Sequence, residues 1–138
     1  LGLVLAHHNT EEMADQLREY RDAHEPEMAI PPVTRDPDAF ADALAGAPLV
    51  LTGHLHLPSA ARTGDTWEVM APTTCSFPQS YLVVTVGPEG TDIELVPVAD
   101  RAGLSEGYKT RSSDSVTSGG LTALASIRLA EFPLVEER

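Results

Sequence analysis

Apolar and polar positions alternate in two rhythms along this chain, and the change of rhythm divides it. LGLVLA, Leu1 to Ala6, is an unbroken apolar run ending in HHNT, the pattern of a buried strand that delivers its last residues to a loop. In EEMADQLREYRDAHE, Met13, Leu17, Tyr20 and His24 recur at helical spacing, and Thr10 stands where an N-cap belongs. That pattern predicts a surface helix. Pro26 to Arg35 contains Pro31-Pro32 and reads as a loop, because proline removes the donor that regular structure needs. A second helix opens on Asp36 as cap with Pro37 in its first turn, and its apolar face is Phe40, Ala43, Leu44 and Ala47. PLVL follows as another buried strand. Strand, helices and strand in that order predict a crossover whose two strands are parallel and end at one sheet edge.

Beyond His56 the period shortens to two. AARTGDTWEVMAP carries a Gly64-Asp65 turn between extended segments, and SYLVVTVGPEGTDIELVPVA carries Gly87-Pro88-Glu89-Gly90 between alternating strands. This half reads as antiparallel hairpins, so the fold class is α/β (α+β), with parallel strands first. Residues 1–99 read as one folded unit and 100–120 as a polar linker. Within 121–138, Leu121 to Phe132 reads as a last helix followed by a tail.

Composition narrows the function classes. A chain of 138 residues is one domain or a large part of one. Its opening on Leu1, inside what reads as a core strand, leads us to expect further sequence upstream. Asp and Glu number 21 against 9 Lys and Arg, a net charge of -12, so the basic footprint of a nucleic-acid binder is absent. Lys109 is the only lysine, a bias that suits either a halophilic, salt-rich cytoplasm or a GC-rich genome. No apolar run approaches the ~20 residues of a membrane span, and no secretory signal is legible. Cys75 alone can form neither an internal disulfide nor a cysteine zinc site, so a cytoplasmic setting is expected and histidine becomes the likelier metal ligand.

Candidate chemistry sits at the strand ends. His7 and His54 each follow a buried apolar run, and in GHLH, Gly53 to His56, two histidines stand one residue apart. In an extended turn His54 and His56 would face the same way, with Gly53 allowing tight backbone approach. If the two strands are parallel neighbours, His7 and His54 meet at the carboxyl edge of the sheet, where open α/β sheets bind ligands. Neutral imidazoles suit zinc, manganese, iron or nickel. An isolated His-x-His is weak evidence, and His7-His8 alone would read as hydrogen-bonded core residues; their coincidence at consecutive strand ends is what points to a site.

VLAHHNT, a helical crossover, LVLTGHLHLP, then a hairpin and APTTCSFPQSYLVVTV together resemble the carboxyl-terminal half of the calcineurin-like metallophosphoesterases, nearest the cyclic-nucleotide phosphodiesterase branch. The resemblance covers Leu1 to about Val98. It implies half of a β-sandwich flanked by helices, and a parent hydrolase that cleaves a phosphodiester or phosphomonoester with two divalent metal ions (manganese, iron or zinc). It also implies that His7 and His54 bind one ion and His56 the other, with His8 outside the direct ligands. The family commonly has two prolines where this chain has Asn9 and Thr10. Its amino-terminal ligands, in Asp-x-His, Gly-Asp and Gly-Asn-His motifs, are not found here; TGDT at Thr63 to Thr66 lies in a hairpin turn and cannot replace them. The implied partners are a phosphate-ester substrate and the missing amino-terminal half. The chain alone is expected to expose apolar surface along its first strand, where sheet neighbours are missing, and so to associate, with a homo-oligomer as one outcome. The chain alone is expected to be inactive and to hold at most one metal, loosely.

The competing class is a non-catalytic or split module that pairs with another chain. Other residues read as structural. Cys75 is expected to be a buried thiol and Trp67 to pack within its hairpin. His24 is expected to complement a helix end, and Arg35 and Arg62 to form ion pairs rather than meet phosphate.

Overall fold

The computed structural model describes residues 2–24, 34–75 and 77–109. Strand β1 (Leu3–Leu5), helices α1 (Glu11–His24) and α2 (Pro37–Leu44), and strand β2 (Leu49–Thr52) form the expected crossover. Strands β3 (Ser59–Thr63) and β4 (Thr66–Met70), strands β5 (Ser80–Gly87) and β6 (Gly90–Pro97), and helix α3 (Arg101–Lys109) follow. The fold is mixed α/β, with a four-stranded sheet in the order β1-β2-β4-β3 and a separate antiparallel hairpin, β5-β6.

Both helices start where their caps dictate. The Thr10 hydroxyl accepts from Met13 N at 3.3 Å, and the Asp36 carboxylate accepts from Ala39 N at 3.0 Å with Pro37 beginning the helix, each satisfying an otherwise unpaired amide. Helix α1 buries Met13 and Leu17 completely, and they pack with Leu55, Leu57, Ala61 and Met70 as the core cluster. The side chains of Tyr20 and His24, and the Pro26–Arg35 loop up to residue 33, lie outside the described residues. In α2 only Leu44 is buried; Ala43 is exposed, and Ala47 lies past the helix end.

Strand β2 pairs in parallel with β1, Val50 opposite Val4, and also in parallel with β4, Val50 opposite Glu68. Both hairpins are antiparallel as expected, and the first also joins the parallel sheet through β4. The six-residue connection from Gly53 to Pro58 returns the chain as β3 at the far edge, and the Gly64-Asp65 turn then lays β4 against β2. Gly64 takes φ +58°, a left-handed conformation that side chains disfavour.

Strand β1 reads as a buried run, yet among the described residues it is a sheet edge, with Leu3 41% and Leu5 75% exposed, the apolar exposure expected of the first strand in this chain. Register explains this. Paired positions put Val4, Val50, Glu68 and Ala61 on the face toward α1, and Leu3, Leu49 and Trp67 on the opposite face. That second face is only partly covered by the β5-β6 hairpin. An apolar cavity of about 520 Å³ opens between them, lined by Leu3, Leu49, Trp67 and Val69 on one side and Val86 and Ile93 on the other.

Helix α3 falls where composition suggested a linker. Asp100 caps it, accepting from Gly103 N at 2.8 Å, and a Cβ at Gly103 would sit tightly, 3.0 Å from the Ala99 Cβ. The expected Leu121–Phe132 helix lies outside the described residues. Among the described residues no helix is long and apolar enough to cross a membrane.

Candidate metal centre

Parallel pairing of β1 with β2 carries both chain segments to the same sheet edge, and the histidines meet there. The His7 carbonyl accepts from Gly53 N at 3.3 Å and from His54 N at 3.0 Å, while Ala6 N donates to the Leu51 carbonyl at 3.0 Å. These bonds extend the ladder past the strands and fix the two loops in register. The ring centroids of His7 and His54 are 5.1 Å apart, those of His7 and His8 5.1 Å, and those of His8 and His54 4.5 Å. His54 Nδ1 lies 3.2 Å from His7 Nε2, so one ring donates to the other in the metal-free pair, with roles set by tautomer.

Electrostatics favour the neutral form of His54. Burial holds the pKa of His54 below its ordinary value of 6.5, and the neighbouring charges of His8, His7 and His56 push it the same way. A neutral imidazole is the form that binds metal.

His56 stands apart from these ring contacts. It is exposed and takes φ 61°, in a turn rather than the extended segment that would align it with His54. Leu55, between them, is 4% exposed and anchors that turn in the core. Its charge nonetheless reaches His54. Gly53 does not serve the expected purpose: its φ is not left-handed, and a Cβ there would meet nothing within 4 Å. His7 and His8 are exposed rather than core residues.

The separation of 3.2 Å between His7 and His54 nitrogens fits two ligands of one ion, since metal–nitrogen bonds of ~2.0–2.1 Å at a tetrahedral angle put two nitrogens about 3.3 Å apart. A complete shell does not fit. Among the described residues no group of three or more His, Cys, Asp or Glu side chains is arranged to hold a metal ion. Cys75 contributes nothing to the site: it is exposed, not the buried thiol expected, because it lies in the irregular loop between β4 and β5 rather than in a strand. Arg62 is committed elsewhere, 3.6 Å from Asp65 and stacked 5.6 Å over the half-exposed Trp67.

Sequence reasoning missed the buried side of this edge. Glu68, 3% exposed, receives Asn9 Nδ2 at 2.8 Å and the Thr52 hydroxyl at 2.7 Å on Oε1. On Oε2 it receives Thr10 N at 3.1 Å and the Thr10 hydroxyl. Asn9 also donates to the Thr52 hydroxyl at 2.7 Å. Asn9 and Thr10 are therefore 0% and 6% exposed and knit into the core. One signal was available: a glutamate two residues before Met70, on the same face of the alternating TWEVM strand.

No family model matches the chain, and no curated protein matches it.

Proposed function

We propose that this chain contributes metal-binding histidines to a phosphoesterase of the calcineurin-like type, with His7 and His54 on one divalent ion, His56 directed to a second, and the remaining ligands supplied from outside the described residues. The observation that supports this most is the 3.2 Å approach of His54 Nδ1 to His7 Nε2 at the carboxyl edge of two parallel strands. Two such ions, when bound, would supply an activated water and neutralise charge on a phosphate ester. The chain's own residues hold the two rings in register at the sheet edge, and burial favours the neutral form of His54.

Cobalt(II) titration followed by visible absorption tests this in the intact chain. A single weak cobalt site is expected, with its spectrum lost in both His7→Ala and His54→Ala. Cobalt uptake that neither substitution alters would sink the reading.

A further inference from the structure

Glu68 accepts four hydrogen bonds, two on each oxygen, and every donor comes from a segment that carries a histidine of the exposed pair. Asn9 and Thr10 follow His7 by two and three residues, and Thr52 precedes His54 by two. The donors are complementary to a carboxylate and to nothing else of that shape. Both hydrogens of the Asn9 amide are used, on Thr52 Oγ1 and Glu68 Oε1. The Thr52 hydroxyl accepts one of them and donates its own hydrogen to Glu68. A glutamine at position 68 would point its amide hydrogens at the Thr10 amide and hydroxyl or, turned over, at Asn9 and Thr52. Either way, donors face donors at a site where all these side chains are at most 6% exposed, and a buried polar group without a partner is costly.

We infer that Glu68 is the positioning residue of the His7–His54 pair: from the opposite, buried side of the sheet edge, its carboxylate clamps the His7 loop to the end of β2 and so sets the 3.2 Å separation of the two ring nitrogens. The backbone bonds from Gly53 and His54 to the His7 carbonyl and from Ala6 to the Leu51 carbonyl align the main chains as far as His7, and the clamp ties down the residues that follow it. Helix α1 is bound to the clamp because the same Thr10 hydroxyl caps the helix at Met13. This role rests on the histidine geometry alone. It deepens the metal reading only through the affinity of the pair for an ion.

The test is long-range proton–nitrogen NMR of the imidazoles in the full, metal-free chain, at a pH above the ordinary histidine value. In the wild type, one ring nitrogen of the pair is expected to show the shift of a hydrogen-bond acceptor. In Glu68→Gln that shift is expected to be lost while the backbone spectrum stays folded. It is expected to persist in Leu17→Ala, which weakens the core cluster away from the clamp. If Glu68→Gln does not fold, Thr52→Val, of nearly the same shape but without the hydroxyl, is read in its place. Zinc affinity of the clamp variant is expected to fall about 10–100-fold, as for other supports of a metal ligand. An acceptor shift unchanged in the clamp variant, or lost equally in Leu17→Ala, overturns the inference. A wild-type chain that shows the paired shift yet takes up no zinc leaves this inference standing and sinks the metal reading instead.

Discussion

His54 Nδ1 and His7 Nε2 lie 3.2 Å apart although 47 positions of sequence separate them, and the parallel pairing of Leu3–Leu5 with Leu49–Leu51 is what brings them together. That pairing ends both strands at one edge, so the residues just beyond each strand share the same space. The consequences can be measured.

Acid should weaken the fold through His54. Its folded pKa is lowered from 6.5, chiefly by burial, so below that value the unfolded chain binds the proton more readily than the folded one, and stability falls as pH drops. Above it, the histidine contributes no pH dependence. Urea unfolding from about pH 8 down to about pH 5.5 is expected to show this loss, and His54→Asn to flatten it. Parallel curves for the two proteins would count against the assignment.

Leu5, 75% exposed on a strand that is a sheet edge among the described residues, sets an apolar side chain beside an edge backbone, the arrangement that invites strand-to-strand association. Sedimentation velocity is expected to show concentration-dependent self-association of the chain, and Leu5→Lys to reduce it. A wild type that stays monomeric at high concentration would remove this edge as an interface.

Asn9→Asp replaces the amide that donates to Glu68 at 2.8 Å with a second carboxylate, in a position that is 0% exposed. Two donors are lost and two acceptors face each other. A destabilisation of at least about 1–3 kcal/mol is expected, the cost of leaving a buried hydrogen-bonding group without its partner, measured by the urea midpoint. A loss under about 1 kcal/mol, the scale of one ordinary hydrogen bond, would mean the network contributes little.

With manganese added, the chain is expected to hydrolyse bis(p-nitrophenyl) phosphate no faster than buffer containing the same metal. Among the described residues no group of three or more metal-ligating side chains is assembled, and two cooperating ions are what phosphoester hydrolysis of this type requires. Turnover that depends on His54 would reveal a complete site within this chain and overturn the expectation that the chain alone is inactive.

Local physics was legible in the sequence. The apolar runs and turn residues placed β1, β2 and both hairpins. Thr10 and Asp36 announced the starts of α1 and α2, because caps and periodicity act over a few residues. The strand-end positions of His7 and His54 followed from the same patterns, and so did the parallel crossover that makes them neighbours. What only the tertiary structure decided depends on pairings remote in sequence. Strand β4 lies parallel to β2, which places Glu68 beside Asn9 across 59 positions and turns a glutamate that looks solvent-facing into a buried clamp. Whether an apolar strand is covered is decided by its neighbours, so β1 proved an exposed edge despite its composition. Likewise, Cys75 is exposed because burial belongs to the assembled sheet and not to the residue type.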